Sequence, residues 1–380
     1  MATAVICEFN PFHNGHKYLL EQARAKTGGP LIAIMSGSFT QRGEAAVCSK
    51  FERAETALKN GADLVVELPT VYAVAAARRF AQGGVSIAKA FGVSTLVFGC
   101  ETASSRLLAE AAVAMDNPKV NALIAAQMKE GAYFPQAAER AVRREFGDGA
   151  AGVLTSPNNI LAVEYLRELS GSDILPLPVK RVGTAHDSES TDGCFASASN
   201  IRAMLRRGED ASAFLPEAPR DITYPGLLER ALLFRFRSMS LADWQALPEV
   251  GEGLENRIAA AVRENNSVKE IIEAVKTKRY THARLRRILC CAALGITEDL
   301  QSRRATYARV LGFTAEGEKL MKNCAFEVVT SPAKLMKSDS ENRAFLQKDI
   351  LATDLAALAY NPVKPCALDY HTKIIRSNRA

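Results

Sequence analysis

Residues 7–25 read CEFNPFHNGHKYLLEQARA and hold two of the five histidines of the 380-residue chain, His13 and His16. The apolar run Val5-Ile6-Cys7 that enters the stretch reads as a buried strand. Leu19, Leu20 and Ala23 after it share one face of a helix. A loop that leaves a first strand and opens a helix is where open parallel sheets hold ligands. Gly15 between the histidines lets a ligand approach the backbone. The free N–H groups and positive dipole end of the helix suit phosphate. Imidazoles there can donate to phosphate oxygens, which favours transfer at the α-phosphate of a nucleotide as charge grows on departing pyrophosphate. A plainer alternative is that the histidines cap the helix and pack on Phe12. A zinc pair is a third, but the spacing supplies no cysteine or carboxylate partners.

Working outward, strands alternate with helices. Leu31–Met35, Leu64–Leu68 and Thr95–Gly99 read as further strands, with helical patterns over 50–60 and 72–90 between them. Such alternation predicts a parallel sheet covered on both faces. Residues 104–147 read as helical, Pro157 opens another helix, and Ile174–Val179, broken by two prolines, reads as an edge strand. A polar loop over 184–195 and a short basic helix over Ser197–Leu205 follow. Beyond Pro216 strand signals fade. Helices are expected over 226–236, 241–247, 253–263, 267–275, 281–293, 298–309 and 314–321. The expected division is an α/β domain over 1–210 and a mainly α-helical, basic domain over 211–380.

A hydrophobic content of 48% with 24% charged residues is that of an ordinary globular protein, and no apolar run reaches the ~18 residues of a membrane span. The start has no basic region before its first strand, so no signal peptide is expected. Eight cysteines occur without a CxxC pair, which predicts reduced thiols and a cytoplasmic protein. Residues 1–195 carry 19 Lys/Arg against 20 Asp/Glu, whereas residues 196–380 carry 29 against 22. All of the excess positive charge therefore lies downstream, as a polyanionic partner would require. Lys276, Lys278, Arg279, Arg284, Arg286, Arg287, Arg303, Arg304 and Arg309 fall in one stretch with only Glu298 and Asp299 against them. Tyr280, His282 and Tyr307 lie among them as candidate base-stacking groups.

His13-Asn14-Gly15-His16 resembles the HxGH signature of the nucleotidyltransferase superfamily, and Ser197-Ala198-Ser199-Asn200-Ile201-Arg202 resembles its second, Ser/Thr-rich motif ending in arginine. Together with "MSGSFTQRGEAAVCSK", "GADLVVELP", "VFGCE", "SPNNILAVEYL" and "KRYTHARLRRIL", in that order, these motifs resemble the tRNA(Met) cytidine acetate ligase family. Ser199 stands where that family usually has threonine, which keeps the hydroxyl; Asn200 stands where serine is commoner. The resemblance implies a Rossmann-like parallel sheet of the HIGH nucleotidyltransferase type with a second, mainly α-helical domain. It implies an enzyme that joins acetate to AMP from ATP and passes the acetyl group to N4 of the wobble cytidine, position 34, of elongator tRNA(Met). ATP would bring Mg2+, acetyl-CoA would not be used, and neither a resident metal, a membrane nor an obligate protein partner is expected.

By the same resemblance, His13, His16 and Arg202 carry the chemistry. The ATP site takes in Ile6, Cys7, Glu8, Phe9, Asn10, Pro11, Phe12, His13, Asn14, Gly15, His16, Lys17, Tyr18 and Leu19, with Gly99, Asn158, Arg181, Ser197 and Ser199. Asn159 is not separable from Asn158. From position alone, Gly37, Ser38 and Gln41 shape an acetate pocket, with Arg42 and Lys50 supplying charge. The tRNA contacts are expected at Lys278, Arg279, Arg284, Arg286 and Arg287. Two other readings fit parts of the chain. One is an adenylyltransferase acting on a small phosphorylated metabolite, which leaves the basic half unexplained. The other is a non-catalytic tRNA-binding protein, which leaves the intact histidine motif unexplained.

Overall fold

The computed structural model describes residues 1–182 and 191–379. Most of the 184–195 loop lies outside the described residues. Five parallel strands form the centre: β1 (Thr3–Cys7), β2 (Leu31–Ser36), β3 (Leu64–Leu68), β4 (Thr95–Cys100) and β5 (Leu175–Lys180). Their spatial order is β5-β4-β1-β2-β3. The chain moves from β1 to β2 on one side and returns to β4 on the other, so the order reverses at β1. That reversal opens a crevice beyond the carboxyl ends of β1 and β4.

The strands read as continuous apolar runs because both faces are buried. Ala4, Ile6, Ile32, Ile34, Val66 and Phe98 pack into one core layer. Val5, Cys7, Ala33, Met35, Val65 and Val97 pack into the other. Alternate residues thus feed opposite layers, as the two-residue period of a strand requires. The helix Asn14–Thr27 buries Leu20 and Ala23 on the second layer and ends at Gly28, whose φ of +66° forms the left-handed cap.

Downstream of residue 210 the chain is mainly helical, with helices at Glu229–Arg237, Leu241–Gln245, Leu254–Glu264, Val268–Val275, His282–Leu294 and Glu298–Ser302. The expected helix over 298–309 stops early. Residues 191–196 first form a small hairpin, β6 (Thr191–Asp192) with β7 (Phe195–Ala196). The chain then returns to the main sheet as β8 (Tyr307–Phe313), antiparallel to β3. Two short strands, β9 (Glu327–Val329) and β10 (Ile375–Arg376), both run parallel to β8. The segment expected to be mainly helical therefore also supplies three strands of the sheet.

A wholly buried charge network joins these strands. Lys50 Nζ lies 2.8 Å from Glu67 and 2.9 Å from Asp369, and Arg309 reaches Asp369 at 2.8 Å. Lys50 and Arg309, expected at an acetate pocket and on an RNA-facing surface, are thus interior partners of β3 and of the helix Leu368–His371. Tyr307 is likewise no stacking platform: it is fully buried and its hydroxyl donates to Asp349. Breaking one partner of such a network leaves an uncompensated interior charge, which is strongly destabilising.

Candidate functional site

His13 is the N-cap of the helix Asn14–Thr27, in extended conformation, and its Nδ1 accepts the Gly15 N–H at 3.1 Å. His16 returns the contact, its Nδ1 accepting the His13 N–H at 3.3 Å. The two rings stack with centroids 3.8 Å apart. A Cβ on residue 15 would lie 2.9 Å from His13 Cε1, so glycine is needed there to seat the ring. Because both Nδ1 atoms accept, each neutral ring carries its proton on Nε2. The capping alternative is therefore met by the Nδ1 atoms of both rings.

The residues before the histidines hold them in place. Phe9 is fully buried at a φ of +48°, rare for a bulky residue, and its ring meets His16 edge-on at 4.9 Å and Phe12 at 4.8 Å. Burial drives the pKa of His13 down to about 3, and the nearby guanidiniums of Arg181 and Arg202 add to it. His16 is lowered well below its ordinary value, mainly by burial, then by His13 and Arg181, against a hydrogen bond to Pro11. Both rings are neutral donors at physiological pH.

A cleft of about 240 Å3 opens at the carboxyl ends of β1 and β4. Ile6, Cys7, Glu8, Asn10, His13, His16, Leu19, Gly99, Asn158, Arg181, Ser197, Ser199 and Arg202 all line it. Gly15 and Tyr18 line an adjoining recess beside Phe195 and Arg181. The helix Ala198–Arg207 points its start at the cleft; Ser197 caps it by accepting from the Asn200 N–H, and lies 3.3 Å from the Ser199 hydroxyl. Arg202 crosses to the first loop, donating to the Asn10 carbonyl at 2.8 Å. Hydroxyls, helix N–H groups and two guanidiniums thus face two imidazoles across one space, a set that suits a triphosphate.

Other expected residues act from behind the wall. Phe9 and Phe12 form its packing. Asn14 ties the helix start to the Cys194 and Ala213 carbonyls, and Lys17 points to solvent. Pro11 borders a separate small recess with Phe12 and Arg53. The two asparagines separate: Asn158 faces the cleft and donates to Glu101 at 2.6 Å, whereas Asn159 is buried and accepts from the Glu101 and Thr102 N–H groups at 3.0 Å. Of the acetate candidates, only Gln41 lines the cleft, beside Arg42. Gly37 and Ser38 are turned away. A Cβ at Gly37 would strike the Glu67 carboxylate, and the Ser38 hydroxyl pairs with Thr353 at 3.1 Å.

Sequence reading missed Arg53. Its guanidinium, 1% exposed, donates to the carbonyls of Glu8 at 2.6 Å, Ser36 at 3.0 Å, Cys48 at 3.3 Å and Gly37. It holds the ends of β1 and β2 in register with the loop that carries Gln41. Glu8 Oε1 in turn accepts the Gln41 N–H at 2.6 Å, and burial raises the Glu8 carboxyl above its ordinary value. Glu44 on the same loop lines the cleft and was also missed.

The basic stretch is partly spent inside the protein. Arg287 binds Glu249 through two 2.7 Å bonds, Arg284 donates to the Glu249 carbonyl at 2.6 Å, and Arg279 pairs with Glu252. Arg286 reaches Glu44 at 2.7 Å, and Lys278 is exposed. The acidic partners lie outside residues 276–309, so composition within that stretch could not reveal them.

A family model described as HIGH Nucleotidyl Transferase matches residues 1–369. The chain is 34% identical over 398 residues to a tRNA(Met) cytidine acetate ligase of Thermoanaerobacter sp. (strain X514), covering 98% of each. It is 36% identical over 386 residues to the Bacillus velezensis tRNA(Met) cytidine acetate ligase, covering 95% of this chain and 92% of that one. Thermotoga maritima TmcAL superposes in its apo form with a TM-score of 0.90 and, bound with alpha-thio ATP, of 0.89; each is 30% identical and matches over the full length of both chains.

Proposed function

The chain belongs to the tRNA(Met) cytidine acetate ligase family of HIGH nucleotidyltransferases, and on that premise we propose that it joins acetate to AMP and acetylates N4 of the wobble cytidine of elongator tRNA(Met). It is an ATP-dependent ligase. An acetate oxygen attacks the α-phosphorus of ATP, pyrophosphate leaves, and acetyl-adenylate remains in the cleft. The cytidine amine then attacks the acetyl carbonyl and gives up a proton to solvent, the C–O bond to phosphate breaks, and AMP departs.

The observation that supports this best is the pair of stacked, neutral histidines with both Nδ1 atoms committed to the helix cap. The His13 Nε2–H is a fixed donor for an α-phosphate oxygen and needs no reorganisation as charge builds there, while the His16 ring, hydrogen-bonded to Pro11, backs it by stacking. Arg202 and Arg181, with Ser197 and Ser199 at a helix start, hold the β- and γ-phosphates. Gly99 and Asn158 flank the nucleoside, and Gln41 with Arg42 receives acetate. Mg2+ bound with the nucleotide would supply charge neutralisation of its phosphates. Glu8 and Glu44 are the cleft carboxylates that would face it, each with one oxygen already bonded to a protein donor.

Lys278, with Arg279 and Arg286 where tRNA competes for them, forms part of the RNA surface; Arg284 and Arg287 keep that surface in shape. The decisive assay has two parts. Pyrophosphate exchange into ATP must depend on acetate, and mass spectrometry of elongator tRNA(Met) incubated with ATP and acetate must show one added acetyl group at the wobble position. Exchange driven by another acceptor, or none at all, would remove the reading.

A further inference from the structure

The helix Glu229–Arg237 leaves one face uncovered. Phe234 is 77% exposed, more than any other described large apolar side chain except Met1, and Leu227 just before the helix is 51% exposed. Arg230 and Arg237, four residues before Phe234 and three after it, lie on the same face and are exposed. At the helix end a groove of about 500 Å3 carries Arg237, Arg263 and Asn256 over a floor of Met239, Leu241 and Trp244. Arg237 borders both features.

The charges here differ from those on the helix His282–Leu294. There the guanidiniums of Arg286 and Arg287 are held by Glu44 and Glu249. Among the described residues no carboxylate forms a salt bridge with Arg230, Arg237 or Arg263; Arg237 donates only to the Asn265 carbonyl and the Asn266 side chain. The two helices pack together, and Arg235 donates to the Ala292 carbonyl at 3.2 Å. The helix bearing Phe234 therefore belongs to the same packed layer as the helix whose Arg286 reaches Glu44 at the cleft rim.

We propose that Phe234, with Arg230, Arg237 and the groove at Arg263, is a docking surface for an unpaired stretch of the RNA substrate, the ring stacking on a base and the arginines meeting the flanking phosphates. The proposal rests on the reading that this chain acts on a tRNA. A solvent-exposed ring set between cations with no carboxylate partner matches a strand that alternates flat base faces with phosphate charges. A second copy of the chain is disfavoured as the occupant, because docking this face on itself would oppose like charges.

The test is a titration of unmodified elongator tRNA(Met) transcript at several salt concentrations, with acetate-dependent pyrophosphate exchange and sedimentation of the free protein measured alongside. Phe234→Ala should weaken binding about tenfold at an unchanged salt slope, as loss of one stacked base does. Phe234→Trp should bind like wild type. Arg237→Ala combined with Arg263→Ala should weaken binding and flatten the slope by about 0.7–0.9 for each phosphate that is no longer neutralised. Exchange should be unchanged in all three variants. Wild-type affinity in Phe234→Ala overturns the proposal, as does a variant that alters only self-association in sedimentation. Wild-type protein that neither binds nor acetylates the transcript removes the tRNA reading itself, and the proposal with it.

Discussion

Arg286 and Glu44 meet at 2.7 Å, and this ion pair joins the helical layer to the rim of the histidine-lined cleft. Gly43, beside Glu44, sits at a φ of +71° with a Cβ position only 2.6 Å from the Arg286 carbonyl, so the loop rests directly on the helix backbone. The bridge is partly exposed and should contribute at most about 1 kcal/mol, so Arg286→Ala should leave urea stability nearly unchanged. Arg287→Ala should cost about 1.5–3 kcal/mol, because it removes two charge-assisted bonds from Glu249, which stands at a φ of +61°. Equal effects in denaturation would contradict this division of labour.

The two nitrogens of His13 can be separated by isosteres. His13→Asn places an acceptor near Nδ1 and should keep the cap, the melting temperature and the fold. It should lose the Nε2 donor and with it roughly 3–4 kcal/mol of transition-state stabilisation, as removal of an oxyanion-hole donor does. His13→Gln, whose amide reaches toward Nε2, should retain more exchange activity and less stability. The reverse ranking would show that the ring serves the cleft through Nδ1.

The depressed histidine pKa sets a direction for acid stability. His13 falls from 6.5 in the unfolded chain to about 3 in the fold, so the unfolded chain takes up the proton first. Its contribution is fully present above about pH 6.5 and is lost as pH falls toward 3. Urea unfolding of wild type should therefore weaken on acidification, and His13→Asn should show a shallower decline. NMR of the imidazoles should find His13 still neutral well below pH 6.5. A ring that titrates near 6.5 would contradict its burial.

Asn158 and Asn159 should differ in what they damage. Asn158→Ala should raise the KM for ATP with little change in stability, since its bond to Glu101 lies in the cleft wall. Asn159→Ala leaves the part-buried N–H groups of Glu101 and Thr102 without their acceptor and should cost about 1 kcal/mol for each. Paired denaturation and exchange measurements separate the two.

The parallel sheet and the first histidine loop were legible because their signals are local: apolar runs with two-sided burial, a glycine between two histidines, and a serine cap before Arg202. What lay hidden depends on distant partners. The sequence of β8 looks like the end of a helix because Arg309 interrupts its apolar run, and only Asp369 and Glu67 explain a buried guanidinium there. Arg53 gave no motif, since its acceptors are backbone carbonyls of four separated residues. The basic stretch looked freer than it is, because Glu44, Glu249 and Glu252 approach it only in three dimensions.

The pairing of β8 with β3 also governs the order in which the protein can be made. Leu64 faces Phe313 across that ladder, so the outer edge of β3 stays open while the whole helical layer leaves the ribosome. A nascent chain halted before Tyr307 presents five parallel strands ending in an apolar edge, a template for strand exchange with a neighbour. Closing so distant a pairing is slow, so the helical residues must be housed before the sheet is sealed. The helical layer over 229–302 is thereby enclosed in sequence between strands of one sheet, so the sheet closes only after that layer has been built.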